Sequence, residues 1–270
     1  MKTKAIISGL MLMVCSIASA QTKESAVLFS GTELDNSYLL TENVSVTFDS
    51  KGNGAIYTGE TKVCDLDVTN TVTAEFKDAF KLKANQDPVN TSDYYSTFYT
   101  EGGAYKVPET AKAYAGKVET NVIKLTEVGS LIHKKEPVIL KASTSEFTLM
   151  PSAITATATN NLTGTEEGLT SAPENSYALS LGQNGVGFYL WEGKKIGANN
   201  AYLIWDGSEA GAKAFTFKFD DGEVDAIHSI NVNDSSTGSE TNDNLYNLNG
   251  LRVGKDYKGI VIVNGKKVIK

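Results

Sequence analysis

Cysteine and histidine are scarce in this sequence, and their scarcity excludes several kinds of site. The 270 residues contain two cysteines, Cys15 and Cys64, and two histidines, His133 and His228. Two cysteines cannot build a network of internal disulfides, and no spacing of Cys and His suits a zinc site. Neither histidine accompanies a serine or cysteine nucleophile motif. The sequence therefore predicts no catalytic residue, no metal site and no cofactor.

Long apolar runs are missing except at the N-terminus. Two lysines precede the apolar segment 5–17, and the Ala-Ser-Ala of residues 18–20 ends it. This order of basic, apolar and small residues is typical of a secretory signal peptide. We predict that residues 1–20 are removed, that Gln21 becomes the first residue, and that the protein is secreted. An uncleaved anchor helix and a lipoprotein modified at Cys15 are the alternatives.

Positive charge is also in short supply. The chain has 25 basic and 32 acidic residues; loss of the two signal-peptide lysines leaves 23 basic residues and a net charge of −9. An acidic chain without a basic stripe argues against nucleic acid and anionic membranes as partners. After the signal segment no stretch approaches the ~18 apolar residues of a membrane-spanning helix. We therefore predict no membrane span.

Helical periodicity is absent, and strict alternation of apolar and polar residues takes its place. It occurs at Val44–Phe48, Cys64–Val68 and Val72–Phe76, and it is typical of strands with one buried and one exposed face. The Gly-Asn-Gly of residues 52–54 predicts a hairpin loop between two such runs. We predict an all-β fold with antiparallel β-sandwich-type domains, the first covering residues 21–88.

The following region, residues 89–228, contains an internal repeat with an offset of 64 residues. Val122–Leu140 and Val186–Ile204 each contain a strand, a loop with one aliphatic residue (Ile132 or Ile196) and a second strand. A single hairpin cannot bury its apolar face. The repeat therefore predicts hairpins that pack on one another in a sandwich or barrel-like domain.

The C-terminal part has a different composition. Residues 229–244 are polar and small, which predicts a flexible linker. Residues 245–270 contain two Asn-Gly pairs, at 249–250 and 264–265. Asn-Gly supplies the two positive φ angles of a type I′ turn, so both pairs predict two-residue hairpin turns. A β-hairpin module of this size buries little surface alone, and we expect it to dock on a partner or to be recognised and removed.

The sequence of this module resembles a known sorting signal. Tyr246–Val253 and Lys258–Val268 are similar to the C-terminal segment of secreted proteins from bacteria with a type IX (Por) secretion system. In that family a short C-terminal β-domain directs sorting to the cell surface and can be cleaved there. The resemblance implies a cell-surface location and the secretion machinery as a partner. Tyr95–Tyr99 and Lys195–Leu203 also resemble uncharacterised extracellular β-modules of the same bacteria.

Aromatic residues provide the candidate binding site. If Val186–Trp191 pairs with Ala201–Trp205 as a hairpin, then Tyr189, Trp191 and Trp205 lie on one face of it. A flat ring with a polar tip suits stacking on a sugar ring. These three residues are therefore the predicted ligand-binding residues, with a cell-surface glycan or protein as the partner. The alternative is a hairpin buried on both faces, in which the tryptophans belong to the core.

The sequence thus predicts a secreted or cell-surface protein with a non-enzymatic binding or structural role. Two alternatives remain open. The first is an extracellular hydrolase of the glycosidase type, which needs two carboxylates across a cleft; no such pair can be singled out among 32 acidic residues. The second is an auxiliary module of a larger surface assembly.

Overall fold

The computed structural model describes residues 21–67, 71–120, 122–154, 160–182, 185–207 and 214–220, and four short strands between residues 245 and 269. Strands make up 62% of the structure and helix 2%, so the predicted all-β sandwich class is confirmed. The chain divides into two compact units, Met1–His228 and Ser229–Lys270. The predicted signal peptide and linker lie outside the described residues.

Nineteen strands are described in the first unit. In chain order they are β1 (Gln21–Ser30), β2 (Asp35–Leu39), β3 (Val44–Phe48), β4 (Gly54–Thr58), β5 (Thr61–Leu66), β6 (Thr73–Lys83), β7 (Asn85–Gln86), β8 (Tyr94–Phe98), β9 (Ala104–Lys106), β10 (Ala111–Glu119), β11 (Val122–Gly129), β12 (Leu131–Ile132), β13 (Val138–Ala142), β14 (Glu146–Ser152), β15 (Leu162–Thr165), β16 (Ser176–Gly182), β17 (Gly185–Leu190), β18 (Asn200–Ile204) and β19 (Ala214–Phe219). A single 3₁₀ turn, Leu40–Glu42, separates β2 from β3.

Six strands form an antiparallel sheet in the order β12-β9-β14-β6-β1-β2. Strands from both sides of the predicted boundary at residues 88 and 89 share this sheet. At its edge Asp35, the first residue of β2, accepts hydrogen bonds from the backbone N–H of Ala153 at 2.8 Å and the hydroxyl of Ser152 at 2.7 Å. It also pairs with Lys106 at 3.1 Å. These contacts tie β2 to the strands β14 and β9 elsewhere in the sheet.

The larger sheet is curled into a half-barrel. Its order is β15-β18-β16-β17-β19-β11-β10-β13-β8-β7, and β19 pairs with β11 in parallel. The inner face carries a dense aromatic core, in which Tyr177 and Phe215 meet edge to face at 4.8 Å. A second core, around Phe80, Phe98 and Tyr105, takes its buried residues from both the six-stranded and the ten-stranded sheet.

A small sheet, β3-β4-β5, packs against residues of β1 and β2. Its strand β3 has the bounds that the alternation predicts, Val44–Phe48. The register Phe48↔Gly54 places the hairpin loop between β3 and β4 at residues 49–53, which confirms the predicted loop. There the Asp49 carboxylate accepts the backbone N–H groups of Lys51 and Asn53 at 2.8 and 2.9 Å.

The 64-residue repeat is present in the structure as a repeated backbone path. Ile132 pairs with Tyr105 in the first copy. In the second copy Ile196 pairs with Leu169, and both of these residues lie 64 positions after their counterparts. Both isoleucines are buried. Positive φ angles recur at the same offset, at Gly129 and Gly193 and at Lys135 and Asn199.

The repeat does not consist of simple hairpins, however. In the second copy β16 lies between β17 and β18, and in the first copy β10 lies between β11 and β13. The predicted pairing of Val186–Trp191 with Ala201–Trp205 is therefore wrong. Each copy is preceded by a strand, β10 or β16, that pairs on both of its edges. On one edge it forms a tight hairpin with the first strand of the copy, β11 or β17, and on the other edge it pairs with the second strand, β13 or β18.

The second unit contains β20 (Leu245–Asn247), β21 (Arg252–Val253), β22 (Ile260–Val263) and β23 (Lys266–Ile269), in the order β21-β20-β22-β23. The register Val263↔Lys266 leaves two residues between β22 and β23, as the second Asn-Gly pair predicts. Strand β20 pairs antiparallel with β21. The first Asn-Gly pair, at 249–250, lies outside the described residues, so its two-residue turn stays a prediction.

Candidate functional site

The three predicted ligand-binding residues lie at the ends of two strands that are not neighbours. Tyr189 is in β17, Trp191 follows β17, and Trp205 follows β18. Because β16 separates these strands, the flat hairpin that was expected to present the rings side by side does not form.

Trp191 and Trp205 pack against different clusters. Trp205 and Leu190 pack against the aromatic core inside the half-barrel. Trp191 packs against a separate small cluster that includes Ile196 and Tyr202. The structure therefore does not bring the three rings to one face.

The contacts of Trp191 are made within its own loop. Its indole N–H donates to the carbonyl of Lys195 at 2.9 Å. The ammonium of Lys194 lies 4.4 Å from the ring centroid, in the range of a cation–π contact. One side of the ring is thus already occupied by a cation of the same loop.

Tyr189 has a structural contact of its own. Its hydroxyl donates to the carbonyl of Gly185 at 3.0 Å, and burial raises the pKa of Tyr189, with a further increase from the negative charge of Asp87. The ring lies against Gly182, where a Cβ would come within 2.1 Å of the hydroxyl oxygen. A ligand-binding role for Tyr189, Trp191 and Trp205 stays a prediction.

A different part of the first unit contains an open groove of about 540 Å³, which we call the Phe76 groove. The strands β1 and β6 and the loops that follow β8 and β15 contribute to it. Its lining consists of an exposed aromatic ring, buried aromatic rings and charged side chains: Lys23, Ser25, Leu40, Phe76, Lys77, Asp78, Phe80, Thr100, Gly102, Tyr105 and Glu166.

The exposed ring belongs to Phe76, of which 78% is accessible to solvent. Phe76, Asp78 and Phe80 share one face of β6, because alternate residues of a strand point the same way. Phe80 is 2% exposed and meets Tyr105 edge to face at 5.1 Å. The same face of β6 therefore passes from the protein core at Phe80 to solvent at Phe76.

Polar groups surround the ring. Ser25 and Lys23 of β1 lie opposite Asp78 and Phe80 of β6, and Lys23 pairs with the Asp78 carboxylate at 3.0 Å. The Tyr105 hydroxyl donates to the backbone carbonyl of Asp78 at 3.1 Å. Burial raises the pKa of Tyr105, and the negative charges of Asp78 and Glu166 raise it further. Tyr105 therefore keeps its proton at neutral pH.

Glu166 closes the other side of the groove. Its carboxylate accepts the backbone N–H of Glu101 at 2.6 Å and the hydroxyl of Thr100 at 3.2 Å. Both oxygens are thus used to hold the loop after β15 against the loop after β8. Asp78 is similarly occupied by Lys23. The two carboxylates of the groove are held by intramolecular contacts, an arrangement that suits recognition of a polar ligand better than proton transfer.

Sequence reasoning placed Phe76 on the buried face of a strand and missed the groove. Nothing in the alternation of Val72–Phe76 distinguishes a phenylalanine that faces solvent from one that faces the core. The distinction depends on which loops cover β6, and those loops come from residues near 100 and 166.

His133 directly follows β12. His133 begins a tight turn in which its backbone N–H donates to the buried carboxylate of Glu136 at 2.8 Å. In the described part of the chain, no group of three His, Cys, Asp or Glu side chains is placed to hold a metal ion. The described residues also contain no helix with the length and apolar character needed to cross a membrane.

The sequence matches no protein-family model, and comparison with curated proteins and with solved structures found no match.

Proposed function

We propose that this protein is a secreted, cell-surface-associated binding protein without enzymatic activity, and that its Phe76 groove binds a glycan. The observation that carries the proposal is the exposed ring of Phe76 within a groove lined by charged and hydroxyl groups. Of the large apolar side chains in the described residues, Phe76 is the most exposed. An aromatic ring left in water at this position is free for contact with a ligand.

The chemistry around the ring favours a sugar over an apolar ligand. The C–H face of a sugar ring stacks on an aromatic face, and its hydroxyl groups need donors and acceptors nearby. Lys23, Ser25, Asp78 and Glu166 supply these at the sides of the groove. A volume of about 540 Å³ lies within the ~300–1,000 Å³ typical of ligand sites.

Features of the two chain ends support the proposed location. Gln21, the first residue of the proposed mature chain, belongs to β1. The Gln21 amide donates to the carbonyls of Thr97 and Asn199 at 3.1 and 2.8 Å, which fixes the first residue to the body. The C-terminal unit is a compact four-stranded sheet, a shape that the secretion machinery can recognise.

The test is a glycan-array screen of the mature chain from Gln21 to Lys270, followed by calorimetric titration with a soluble oligosaccharide identified on the array. We expect Phe76→Ala to weaken binding at least about tenfold, or ~1.4 kcal/mol. Phe48→Ala is the matched control, because Phe48 is also exposed (65%) but belongs to the small sheet. Absence of glycan binding, or equal loss in both variants, contradicts the proposal. Loss only in Trp191→Ala assigns binding to the loop after β17 instead.

A further inference from the structure

Given the proposed glycan-binding function, on which the following inference rests, the charged side chains of the Phe76 groove decide which sugars it accepts. Two lysines and two acidic residues line the groove: Lys23, Lys77, Asp78 and Glu166. A sugar ring can be neutral, or it can carry a carboxylate or a sulfate group. An anionic group is bound most strongly by cationic donors. The partners of the two lysines are therefore the deciding observation.

Lys23 is paired inside the groove. Its ammonium lies 3.0 Å from the carboxylate of Asp78 and 5.4 Å from the centroid of the Phe80 ring. A ligand anion that took Lys23 from Asp78 would leave that carboxylate without its partner and next to the new negative charge. Such an exchange replaces one ion pair by another and adds a repulsion. Lys23 therefore provides no net attraction for an anionic sugar.

Lys77 is turned away from the ring of Phe76. Its ammonium lies 2.7 Å from the carboxylate of Glu75. Alternate residues of a strand point the same way, so Glu75 and Lys77 share the face of β6 opposite to that of Phe76. Among the described residues that line the groove, no ammonium group is thus without a carboxylate partner.

Glu166 adds negative charge to the groove. In the described part of the chain its carboxylate is held by uncharged donors, the backbone N–H of Glu101 at 2.6 Å and the hydroxyl of Thr100 at 3.2 Å. The field of the carboxylates reaches the base of the groove, because the charges of Asp78 and Glu166 add to the effect of burial in raising the pKa of Tyr105. With one ammonium group and two carboxylates on the side of the Phe76 ring, the groove is net negative.

We propose that the Phe76 groove selects neutral glycans and rejects glycans that carry carboxylate or sulfate groups. The hydroxyl groups of a neutral sugar donate charge-assisted hydrogen bonds to carboxylates. Each carboxylate oxygen has two lone pairs, so the oxygens of Glu166 can accept further donors in addition to Glu101 and Thr100. A carboxylate or sulfate on the sugar can only accept hydrogen bonds, and it meets charges of its own sign.

The experiment compares one sugar in two charge states. The probes are the soluble neutral oligosaccharide that binds the mature chain, Gln21 to Lys270, most tightly, and the same oligosaccharide with its primary hydroxyls oxidised to carboxylates. Calorimetric titration at low ionic strength should give a dissociation constant at least about tenfold higher for the oxidised probe. Added salt should narrow this difference, because it screens the repulsion. Equal or tighter binding of the oxidised probe overturns the proposal.

Two substitutions of similar shape identify the charges responsible. Asp78→Asn removes one carboxylate and frees Lys23, and Glu166→Gln removes the other carboxylate. Each should lower the ratio of the two dissociation constants at least about threefold. Asp65→Asn is the matched control, because Asp65 is also an exposed carboxylate in an ion pair, 2.9 Å from Lys62, but belongs to the small sheet. It removes the same charge and should leave the ratio unchanged.

The same ratio in the wild type and all three variants overturns the proposal, and thermal melting of each variant verifies that the chain is folded. Failure of the selection differs from failure of the proposed function. Binding of acidic glycans on the array that Phe76→Ala abolishes leaves the proposed function in place and overturns the selection of neutral sugars. Absence of any glycan binding that depends on Phe76 contradicts the proposed function, and the selection fails with it.

Discussion

At the scale of single residues, Asp35 shows how one carboxylate fastens a strand. Burial alone would raise the pKa of Asp35, but hydrogen bonds from Ala153 and Ser152 and the ammonium of Lys106 hold it below its ordinary value. These partners favour the ionised form, because each donates to the carboxylate or carries the opposite charge. The ionised Asp35 is therefore the form that holds β2 to β14 and β9.

This arrangement predicts a specific dependence of stability on pH. A carboxyl group whose pKa is lower in the folded state stabilises the protein above its unfolded pKa, about 4. That contribution is lost as the pH falls through the folded pKa. We expect urea unfolding midpoints to fall between pH 7 and pH 3, and to fall less in Asp35→Asn. Parallel pH profiles for the wild type and the variant would show that Asp35 contributes nothing to this dependence.

Trp191 offers a second test at this scale. It is half-buried, donates to Lys195 and packs on Ile196 and Tyr202. Removal of a fully buried tryptophan costs ~3–5 kcal/mol, and we expect Trp191→Ala to lower the free energy of unfolding by about 2 kcal/mol. Chemical denaturation is the measurement. An unchanged midpoint together with lost glycan binding would assign the ring to ligand recognition.

At the scale of the strands, the pairing of β16 with β17 depends on a glycine beneath an aromatic ring. Gly182→Ala would bring a Cβ within 2.1–2.4 Å of the Tyr189 side chain. We expect a loss of about 1–3 kcal/mol of stability, as for overpacked cores. In a Tyr189→Ala background the same substitution should cost little, because the clashing ring is gone. A double-mutant cycle measures the difference, and additive effects would contradict the contact.

Sequence alternation predicted individual strands better than their neighbours. The run Val44–Phe48 is β3 to the residue, and the repeat offset matched Ile132 with Ile196, both of which are buried. Alternation of apolar and polar residues reports that one strand has a buried and an exposed face, and this can be read from a few neighbouring residues. The insertion of β16 between β17 and β18, and the cover over β6 that creates the Phe76 groove, depend on contacts between distant residues, and no local pattern encodes them.

At the scale of the whole molecule, the C-terminal unit is compact by itself. We expect deletion of residues 245–270 to change where the protein is found and not whether its body folds. Surface labelling of cells should decrease, while the purified truncated chain should melt at the same temperature as the full chain. Loss of the body's cooperative transition, or unchanged surface display, would show that the module has a different role.

The place of β19 in the half-barrel has a consequence for the order of folding. In the sheet, β19 lies between β11, the first strand of the first copy, and β17, the first strand of the second copy. A chain that stops before Ala214 has two separate sheets with open edges. The half-barrel sheet becomes continuous only when β19 pairs with β11. The paired residues are almost a hundred positions apart in the sequence, as in Val122↔Thr216, and pairing over such a separation is slow. If the chain crosses a membrane unfolded, as the proposed secretion requires, the half-barrel would be completed only after residues 214–219 have crossed.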